Sequence, residues 1–271
     1  MLDFLDQVLR GAGAELMKYY GKLDATMIDF KGRNDLQTQA DLASEKYVTA
    51  KIREKFPEDS IYAEEGGTQA AANTSRWWFI DPLDGTTNFA HALPIFAVSV
   101  GVWENGAMRY GGVFAPYINE MFLGELGKGA TLNGEPISVS HTPDLQHAVI
   151  GTGFTYKRAE LTNNNLQDFA KYCVQVRGIR RLGSASMDMC YVGCGRLDAY
   201  WEAYLGPFDS AAASVIVHEA GGKVTDYNGG EDWLFGENVL VTNGKLHGAF
   251  EGQLAALDPG TTGRFARPQM D

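Results

Sequence analysis

The sequence has few cysteines and no long apolar run. Only three of its 271 residues are cysteines, Cys173, Cys190 and Cys194, and they show no CxxC spacing. Such an odd, scattered set is typical of free thiols in a reducing compartment. No apolar run approaches the roughly 18–20 residues that a bilayer-spanning helix needs, and the N-terminal segment lacks the basic start of a signal peptide. The sequence therefore predicts a cytoplasmic protein with no membrane partner.

Positive charge is also scarce. Lysine and arginine number 23 against 34 aspartate and glutamate residues, which gives a formal net charge of −11. This balance disfavours a nucleic-acid surface as the main partner. An anionic substrate would need local help against the negative field, and a bound cation is the simplest source of it. We therefore expect no nucleic-acid partner.

The chain contains both helical and strand patterns. Apolar residues at helical spacing predict one helix over about 5–19 and a second over 38–56. From Ala97 onward, Asx-Gly pairs between apolar runs predict an antiparallel meander. The other predicted elements are strands at 60–65 and 77–81 joined by a polar loop, helices at 161–176, after Ser184 and at 209–220, strands at 223–227 and 238–243, and a helix near 246–257.

These elements predict one compact α/β unit made of two sub-domains. A chain of 271 residues is long enough for one large domain or two coupled halves. No linker separates the halves, so the boundary is soft. We place an N-terminal α+β sub-domain at 1–142, a C-terminal α/β sub-domain at 143–257 and an unstructured tail at 258–271.

Four acidic residues lie at the ends of predicted elements. Glu64 closes one strand, Asp81 and Asp84 close another, and Asp209 opens a helix. No histidine or cysteine accompanies them, so these oxygen ligands suit Mg²⁺ or Mn²⁺ better than zinc. The Asp-Pro-Leu-Asp spacing predicts a proline-stiffened turn that directs both aspartates, with the Leu83 carbonyl oxygen, toward one point.

The segment after Asp84 favours an anion. Gly85, Thr86 and Thr87 predict the start of a short helix, whose first N–H groups are free to bind an anion. Cations and N–H groups that converge on one point describe a phosphate site. The residues therefore support phosphoryl transfer to water with two or more Mg²⁺ ions.

Each of these residues also has a structural interpretation. Asp41 and Thr38 fit a capping box at a helix start, and Asp209 fits the N-terminal cap of another helix. Glu64 could be a solvated charge at a strand end, and residues 81–89 could form a turn. A turn, however, has no use for two aspartates after four apolar residues. The individual residues leave these alternatives open.

Four motifs together carry a resemblance to a known family. They are NDLQTQAD (Asn34–Asp41), AEEGG (Ala63–Gly67), WFIDPLDGTTNF (Trp78–Phe89) and GPFDSAAASVIVHEAGG (Gly206–Gly222). In these motifs the chain resembles the inositol monophosphatases, within the Mg²⁺-dependent, lithium-sensitive phosphatase superfamily, over roughly residues 5–257. The resemblance implies an αβαβα five-layer sandwich of the inositol monophosphatase and fructose-1,6-bisphosphatase type. It also implies a homodimer.

The resemblance assigns metal ligands to this sequence. Glu64, Asp81 and the Leu83 carbonyl would hold one Mg²⁺, and Asp81, Asp84 and Asp209 a second. A third, weaker ion would bind near Glu64, so two to three ions are expected per site, with Mn²⁺ as an alternative.

The resemblance also assigns catalytic and substrate-binding residues. Glu64 and Thr86 would orient the attacking water, with the Thr86 hydroxyl paired to Asp41. Asp84 and the N–H groups of Gly85 and Thr86 would contact the substrate, the N–H groups at its phosphate oxygens.

A further segment of the sequence bears on binding of the alcohol part of the substrate. LGSASMDMCYVGCGRLDAYWE (Leu182–Glu202) resembles the inositol-binding segment of the family. Ser184 and Ala185 would then edge the pocket, and Glu202 would accept hydrogen bonds from ring hydroxyls. The alternative for Glu202 is a surface charge.

The acidic residues of the motifs are not among the positions at which this sequence departs from the family pattern. Family members often carry Trp and Gly where this chain has Phe208 and Ala213, and many have Gly-Glu-Glu-Ser in place of AEEGG. Thr87 matches inositol monophosphatases, whereas bisphosphate nucleotidase relatives usually, and histidinol-phosphatase relatives often, have Lys there. We therefore expect a phosphomonoesterase that hydrolyses inositol monophosphate, a small-molecule ester. The alternatives are fructose-1,6-bisphosphatase or histidinol-phosphatase activity, or a regulatory binding role.

Overall fold

The computed structural model describes residues 1–32, 35–71 and 73–270, with the backbone alone at Ala25, Asn73 and Thr74. Asn34 of the first motif and residue 271 of the predicted tail lie outside the described residues. The helices are α1 (Leu2–Met17), α2 (Gln39–Lys55), α3 (Thr86–Ala90), α4 (Leu166–Cys173), α5 (Ala185–Gly193) and α6 (Pro207–Glu219). The strands are β1 (Ile28–Phe30), β2 (Leu36–Thr38), β3 (Asp59–Ala63), β4 (Gly67–Gln69), β5 (Asn73–Asp84), β6 (Ala97–Glu104), β7 (Ala107–Ala115), β8 (Glu120–Glu125), β9 (Gly129–Leu132), β10 (Glu135–Pro136), β11 (Val149–Thr152), β12 (Gly178–Arg180), β13 (Ala199–Ala203), β14 (Lys223–Thr225) and β15 (Asn238–Thr242).

The described strands form three sheets. β1 and β2 make a two-stranded hairpin, and the large sheet has the order β10-β9-β8-β7-β6-β5-β3-β4. Each strand from β5 to β10 pairs antiparallel with the next, so the predicted meander is confirmed. The small sheet has the order β12-β11-β13-β15-β14 and mixes parallel with antiparallel pairs.

Helices pack against the large and the small sheet, and together they form five layers. α1 and α2 pack on one face of the large sheet through residues such as Leu9 and Val48. α5 and α6 fill the space between the large and small sheets. α4 lies on the far face of the small sheet, where Tyr172 packs against Trp201. The expected αβαβα sandwich is confirmed. None of the described helices is long and apolar enough to cross a membrane.

The apolar run of β5 is explained by burial on both sides. Trp78 and Ile80 pack into the core beneath α1 and α2. Trp77 and Phe79 point the other way, into a cluster that contains Ala211 of α6. Successive side chains of a strand face opposite sides, so a strand covered by helices on both faces is apolar throughout. The same strand ends at the acidic residues that the sequence singled out.

Two predicted helices are wrong in extent. The helix expected at 161–176 is only α4, because Asn165 has a φ of +73° and starts the helix just before Leu166. Between 246 and 257 only a short 3-10 turn forms, at His247–Ala249. Glycines at 248 and 252, the second with a φ of +66°, disfavour a longer helix there. The predicted polar loop before β5 also contains a short strand, β4.

Close approach of α6 to the large sheet gives a test of this packing. A Cβ atom at Gly111 of β7 would lie 2.0 Å from the Ala212 carbonyl oxygen of α6. Gly111→Ala should therefore push helix and sheet apart and lower the free energy of unfolding by about 1–3 kcal/mol, measured by urea unfolding. Gly248→Ala is the control, since nothing lies within 4 Å of its added Cβ. An equal loss in both variants would contradict the packing.

Candidate active site

A β-bulge at the end of β5 sets the positions of Asp81 and Asp84. Asp81 pairs with Ser99 of β6 and Asp84 pairs with Ala97, so the register shifts by one residue between them. Residues three apart in a regular strand face opposite sides. The extra residue brings both carboxylates to the same side, and they line one compartment. The predicted turn is thus a bulge within a longer strand, a position where Pro82 is tolerated.

Neighbouring groups hold the bulge in place. The Leu83 N–H donates to Asp81 Oδ1 at 3.0 Å. The hydroxyl of Ser44, a buried residue of α2, donates to the Pro82 carbonyl oxygen at 2.8 Å. The Leu83 carbonyl oxygen accepts from the Thr86 hydroxyl at 3.0 Å. Helix α2 and the start of α3 therefore fix the backbone that carries the two aspartates.

Gly85 connects the bulge to α3. Its φ of +93° lies in the left-handed region that favours glycine. A Cβ there would also lie 3.1 Å from the Ile95 carbonyl oxygen and 3.2 Å from that of Gly183. Helix α3 begins at the next residue, Thr86, as the sequence predicted.

Asp41 satisfies both of its interpretations at once. Its Oδ2 accepts from the Thr38 N–H at 2.9 Å and from the Thr38 hydroxyl, which forms the capping box of α2. Its Oδ1 accepts from the Thr86 hydroxyl at 3.2 Å, the contact that the resemblance predicted. Burial raises the pKa of Asp41 to about 6. One carboxylate thus joins the start of α2 to the start of α3.

The AEEGG motif forms a supported loop after β3. The Glu64 N–H donates to the Ile80 carbonyl oxygen at 3.0 Å, and the Glu65 N–H donates to Glu45 at 2.9 Å. The Lys31 ammonium contacts Glu64 at 3.3 Å and Glu65 at 2.6 Å. Burial raises the pKa of Glu64 to about 8 despite the opposing charge of Lys31. Glu64 is therefore not a freely solvated charge.

Asp209 lies in the first turn of α6. Its Oδ2 accepts from the Gly206 N–H at 2.6 Å. Gly206 is the N-cap and α6 begins at Pro207, so the prediction that Asp209 is itself the cap is wrong, although its side chain contacts the cap residue. The same side chain lines the compartment that holds Asp81 and Asp84. Burial, with the nearby charges of Glu64 and Asp84, holds the pKa of Asp209 well above its usual range. The contact with Gly206 and a role in the site are therefore compatible.

Asp84 links the large sheet to the N-terminus of α5. Its Oδ2 accepts from the Ser184 hydroxyl at 2.6 Å and from the Ser186 N–H at 2.7 Å. Its Oδ1 accepts from the Ala185 N–H at 3.1 Å. These hydrogen bonds place Ser184 and Ala185 directly beside the acidic residues. The resemblance had implied that both residues edge the pocket.

The site residues line two adjoining compartments of one cleft. The smaller compartment has a volume of about 120 Å³ and includes Glu64, Asp81, Leu83, Asp84, Gly85, Thr86 and Asp209. The larger has a volume of about 280 Å³ and includes Asp84, Gly85, Ser184, Ala185, Glu202 and Asp209. Asp41 is the predicted residue that lies outside both linings, behind Thr86. The cleft thus joins an acidic pocket to a second, larger space.

Glu202 lies in the larger compartment and is only 9% exposed, so its surface-charge interpretation is wrong. Its Oε2 accepts a hydrogen bond from the Tyr200 hydroxyl. Burial raises the pKa of Glu202, while the charge of Arg181 acts in the opposite direction.

Comparison with known proteins identifies the family. A sequence model described as "Inositol monophosphatase family" matches residues 1–257. The chain is 41% identical over 256 residues to an inositol-1-monophosphatase of Synechocystis sp., covering 94% of this chain and 88% of that protein. It is 36% identical over 263 residues to a Pseudomonas aeruginosa protein named Nus factor SuhB, covering 96% of each. The chain belongs to the inositol monophosphatase family.

A solved structure supports the same assignment. The inositol monophosphatase from Anabaena (Nostoc) sp. PCC 7120 superposes with a TM-score of 0.84 at 39% identity, covering 96% of this chain and 97% of that one. The protein is accordingly a phosphatase of the inositol monophosphatase family, whose members are generally Mg²⁺-dependent.

The smaller compartment fits the divalent cation of the inositol monophosphatase family. It presents carboxylates and a carbonyl oxygen, the oxygen donors that Mg²⁺ prefers. Burial and the neighbouring acids hold the pKa of Asp81 well above its usual range, and this repulsion favours a bound cation. Over the described ranges no three His, Cys, Asp or Glu side chains are by themselves arranged to hold an ion. Asp84 and Asp209 are instead held by backbone N–H groups.

Several residues of this inositol monophosphatase-family cleft were not predicted. They are Lys31, Asp35, Tyr156, Arg181 and Arg264. Arg181 directly precedes the segment that resembles the inositol-binding region, and Lys31 precedes the first motif, so neighbouring motifs could have indicated both. Arg264 lies in the predicted tail, where no local pattern marks it.

The Thr86 contacts give a test of the site. Thr86→Val removes the hydroxyl that lies within hydrogen-bond distance of Asp41 Oδ1 and of the Leu83 carbonyl oxygen, so kcat should fall by roughly a hundredfold. Thr87→Val is the matched control, because the neighbouring Thr87 is exposed. Steady-state phosphate release measures both variants. Comparable activity of the two would show that the Thr86 hydroxyl has no part in turnover.

Proposed function

We propose that this phosphatase hydrolyses inositol monophosphate to inositol and phosphate. The observation that carries the proposal is the continuity of the two compartments, since Asp84, Gly85 and Asp209 line both of them. A phosphate in the acidic compartment would therefore leave the attached alcohol in the larger one, beside Glu202. The name of the Synechocystis relative, an inositol-1-monophosphatase, supports the same substrate.

Two to three Mg²⁺ ions would bind in the smaller compartment, with Mn²⁺ as an alternative. Glu64, Asp81 and the Leu83 carbonyl oxygen would hold one ion, and Asp81, Asp84 and Asp209 a second. The third would lie near Glu64. Bound Mg²⁺ would stabilise the negative charge on the phosphoryl oxygens and lower the pKa of a water molecule bound to it. Helix α2, the bulge and α6 keep these ligands in place before substrate arrives.

The residues around Thr86 would orient the attacking water. The Thr86 hydroxyl donates its hydrogen to Asp41 Oδ1 or the Leu83 carbonyl oxygen, so its lone pairs can accept a hydrogen bond from water. Glu64 would accept a second hydrogen bond from the same water. The N–H groups of Gly85 and Thr86, at the start of α3, would donate to the phosphate oxygens. Attack and phosphate binding would thus occur next to the same bulge.

The larger compartment would bind the polyol. Glu202 is held by the Tyr200 hydroxyl at Oε2, and a carboxylate accepts several hydrogen bonds. Its acceptors suit the ring hydroxyls of inositol. Ser184 and Ala185 would contact the ring at the edge nearest Asp84.

Further properties follow from family membership and are part of the proposal. Li⁺ would inhibit the enzyme, and the protein would act as a homodimer in the cytoplasm without a nucleic-acid partner. The three cysteines are free thiols, which supports a reducing compartment. The division into sub-domains at 1–142 and 143–257 also remains a proposal.

A regulatory binding role is the second candidate. The P. aeruginosa relative, 36% identical, is named a Nus factor, and that name supports a role beyond hydrolysis. A protein that binds partners and has no phosphatase activity would, however, have no need of the acidic compartment. Loss of hydrolysis in the variant below, with unchanged capture of a partner, would separate the two roles.

Asp81→Asn tests the metal assignment. The change keeps the shape of the side chain but removes the charge that two ions would share, so phosphate release should fall below detection. Measured without Mg²⁺, the thermal midpoint should stay at or above that of the unchanged protein, because a buried repulsive charge is lost. Asp3→Asn, at an exposed position, is the control. Retained Mg²⁺-dependent turnover in Asp81→Asn would refute the assignment.

A substrate panel tests the specificity. Phosphate release would be measured from inositol 1-phosphate, fructose 1,6-bisphosphate and histidinol phosphate, with and without Mg²⁺ and with added Li⁺. Inositol 1-phosphate should be preferred, and Glu202→Gln should raise its KM by roughly tenfold, the loss of a charge-assisted hydrogen bond. A preference for another ester would keep the chemistry and reject inositol as the alcohol.

A further inference from the structure

The C-terminal segment forms part of the active-site wall. Residues 258–270 follow the family match, which ends at 257. They contain no helix or strand, yet Arg264 lines both compartments of the cleft and Phe265 lines the smaller one. The cleft therefore includes side chains from a segment that lies beyond the family-model match.

A buried carboxylate anchors the segment. Glu237, just before β15, has a side chain with 0% exposure. Its Oε1 accepts from the Arg264 N–H at 2.7 Å, and its Oε2 accepts from Arg264 Nε at 2.8 Å. A buried charge without a partner strongly destabilises a protein. Arg264 supplies that partner to Glu237, and the pair holds the segment against the body of the protein.

Other contacts hold the segment on either side of Arg264. Asp258 accepts from the N–H groups of Thr162 at 2.6 Å and Asn163 at 3.0 Å. The Phe265 ring packs edge-on against Phe208, with centroids 5.6 Å apart. Phe208 precedes Asp209, and both rings line the smaller compartment. Both contacts keep the segment against the rim of the cleft.

Two contacts orient the guanidinium of Arg264. Nε donates to Glu237, and a terminal nitrogen donates to the Tyr204 carbonyl oxygen. A guanidinium carries five N–H groups, and these contacts use two of them. The side chain remains 35% exposed and borders the cleft. An arginine fixed in this way is preorganised to bind phosphate oxygens.

The groups that would bind phosphate lie in the smaller compartment, which Arg264 also lines. Gly85 and Thr86, whose N–H groups would bind phosphate, line the 120 Å³ compartment together with Arg264. Every other charged side chain among the described lining residues is acidic, so a cationic donor would offset their repulsion of a phosphate ester. Arg264 is therefore a cationic hydrogen-bond donor that lines the compartment in which phosphate would bind.

We propose that Arg264 is a substrate-binding residue that donates hydrogen bonds to the phosphate group of the ester, and that the segment 258–270 carries it into the cleft. The proposal rests on the proposed function for the identity of the ester, but its phosphate contact is independent of which alcohol is attached.

Arg264→Gln tests the contact. It should raise KM for inositol 1-phosphate, and the dissociation constant of inorganic phosphate with Mg²⁺ present, by roughly tenfold, the loss of a charge-assisted hydrogen bond. Titration calorimetry gives the phosphate constant. The matched control is Arg267→Gln. Arg267 belongs to the same C-terminal segment and pairs with Asp232 at 3.2 Å, but it lines neither compartment. The control should leave both constants within twofold.

A double variant separates binding from anchoring. Arg264→Gln alone leaves Glu237 as an unpaired buried charge, so its thermal midpoint should fall. Arg264→Gln with Glu237→Gln removes both charges and should restore the midpoint. The dissociation constant for phosphate should nevertheless stay about tenfold raised in the double variant. Recovery of normal phosphate binding there, or an equal effect of Arg267→Gln, would overturn the proposal.

The two readouts distinguish this proposal from the proposed function. Failure of the unchanged protein to hydrolyse inositol 1-phosphate, with phosphate binding weakened by Arg264→Gln, would reject the substrate and support the contact. Hydrolysis of inositol 1-phosphate with unaltered phosphate binding in Arg264→Gln would support the substrate and reject the contact.

Discussion

The bulge at the end of β5 is the constraint on which the site depends. Without the extra residue, Asp81 and Asp84 would face opposite sides of the large sheet. The same irregularity presents the Leu83 carbonyl oxygen to Thr86 and places Gly85 where α3 must begin. One additional residue in one strand thus groups two carboxylates with the start of a helix.

Gathering like charges in a buried cleft is unfavourable, and the surrounding structure offsets that cost. Lys31 pairs with Glu64, the N-terminus of α5 donates to Asp84, and Gly206 donates to Asp209. The raised pKa values of Glu64, Asp81 and Asp209 show that repulsion and burial are only partly relieved. The residual negative field favours binding of divalent cations, in keeping with the generally Mg²⁺-dependent chemistry of the family.

Long-range contacts join the two predicted sub-domains at the cleft. Asp84 belongs to the large sheet, whereas its donors Ser184 and Ser186 belong to the segment around α5. The C-terminal segment adds a further connection through Arg264 and Glu237. The acidic pocket and the space beside Glu202 therefore form one cleft, with Asp84 and Asp209 lining both compartments.

Features that depend on residues close together in the chain can be predicted from local spacing and motifs. The capping box at Asp41, the short helix after Gly85, the meander and the acidic ends of elements were all evident from spacing, and the motifs revealed the family. Packing of distant segments sets the bulge and the presence of Arg181 and Arg264 in the cleft. These features depend on residues far apart in the chain, whose contacts are set by packing of layers and pairing of buried charges. Local periodicity carries no information about such contacts.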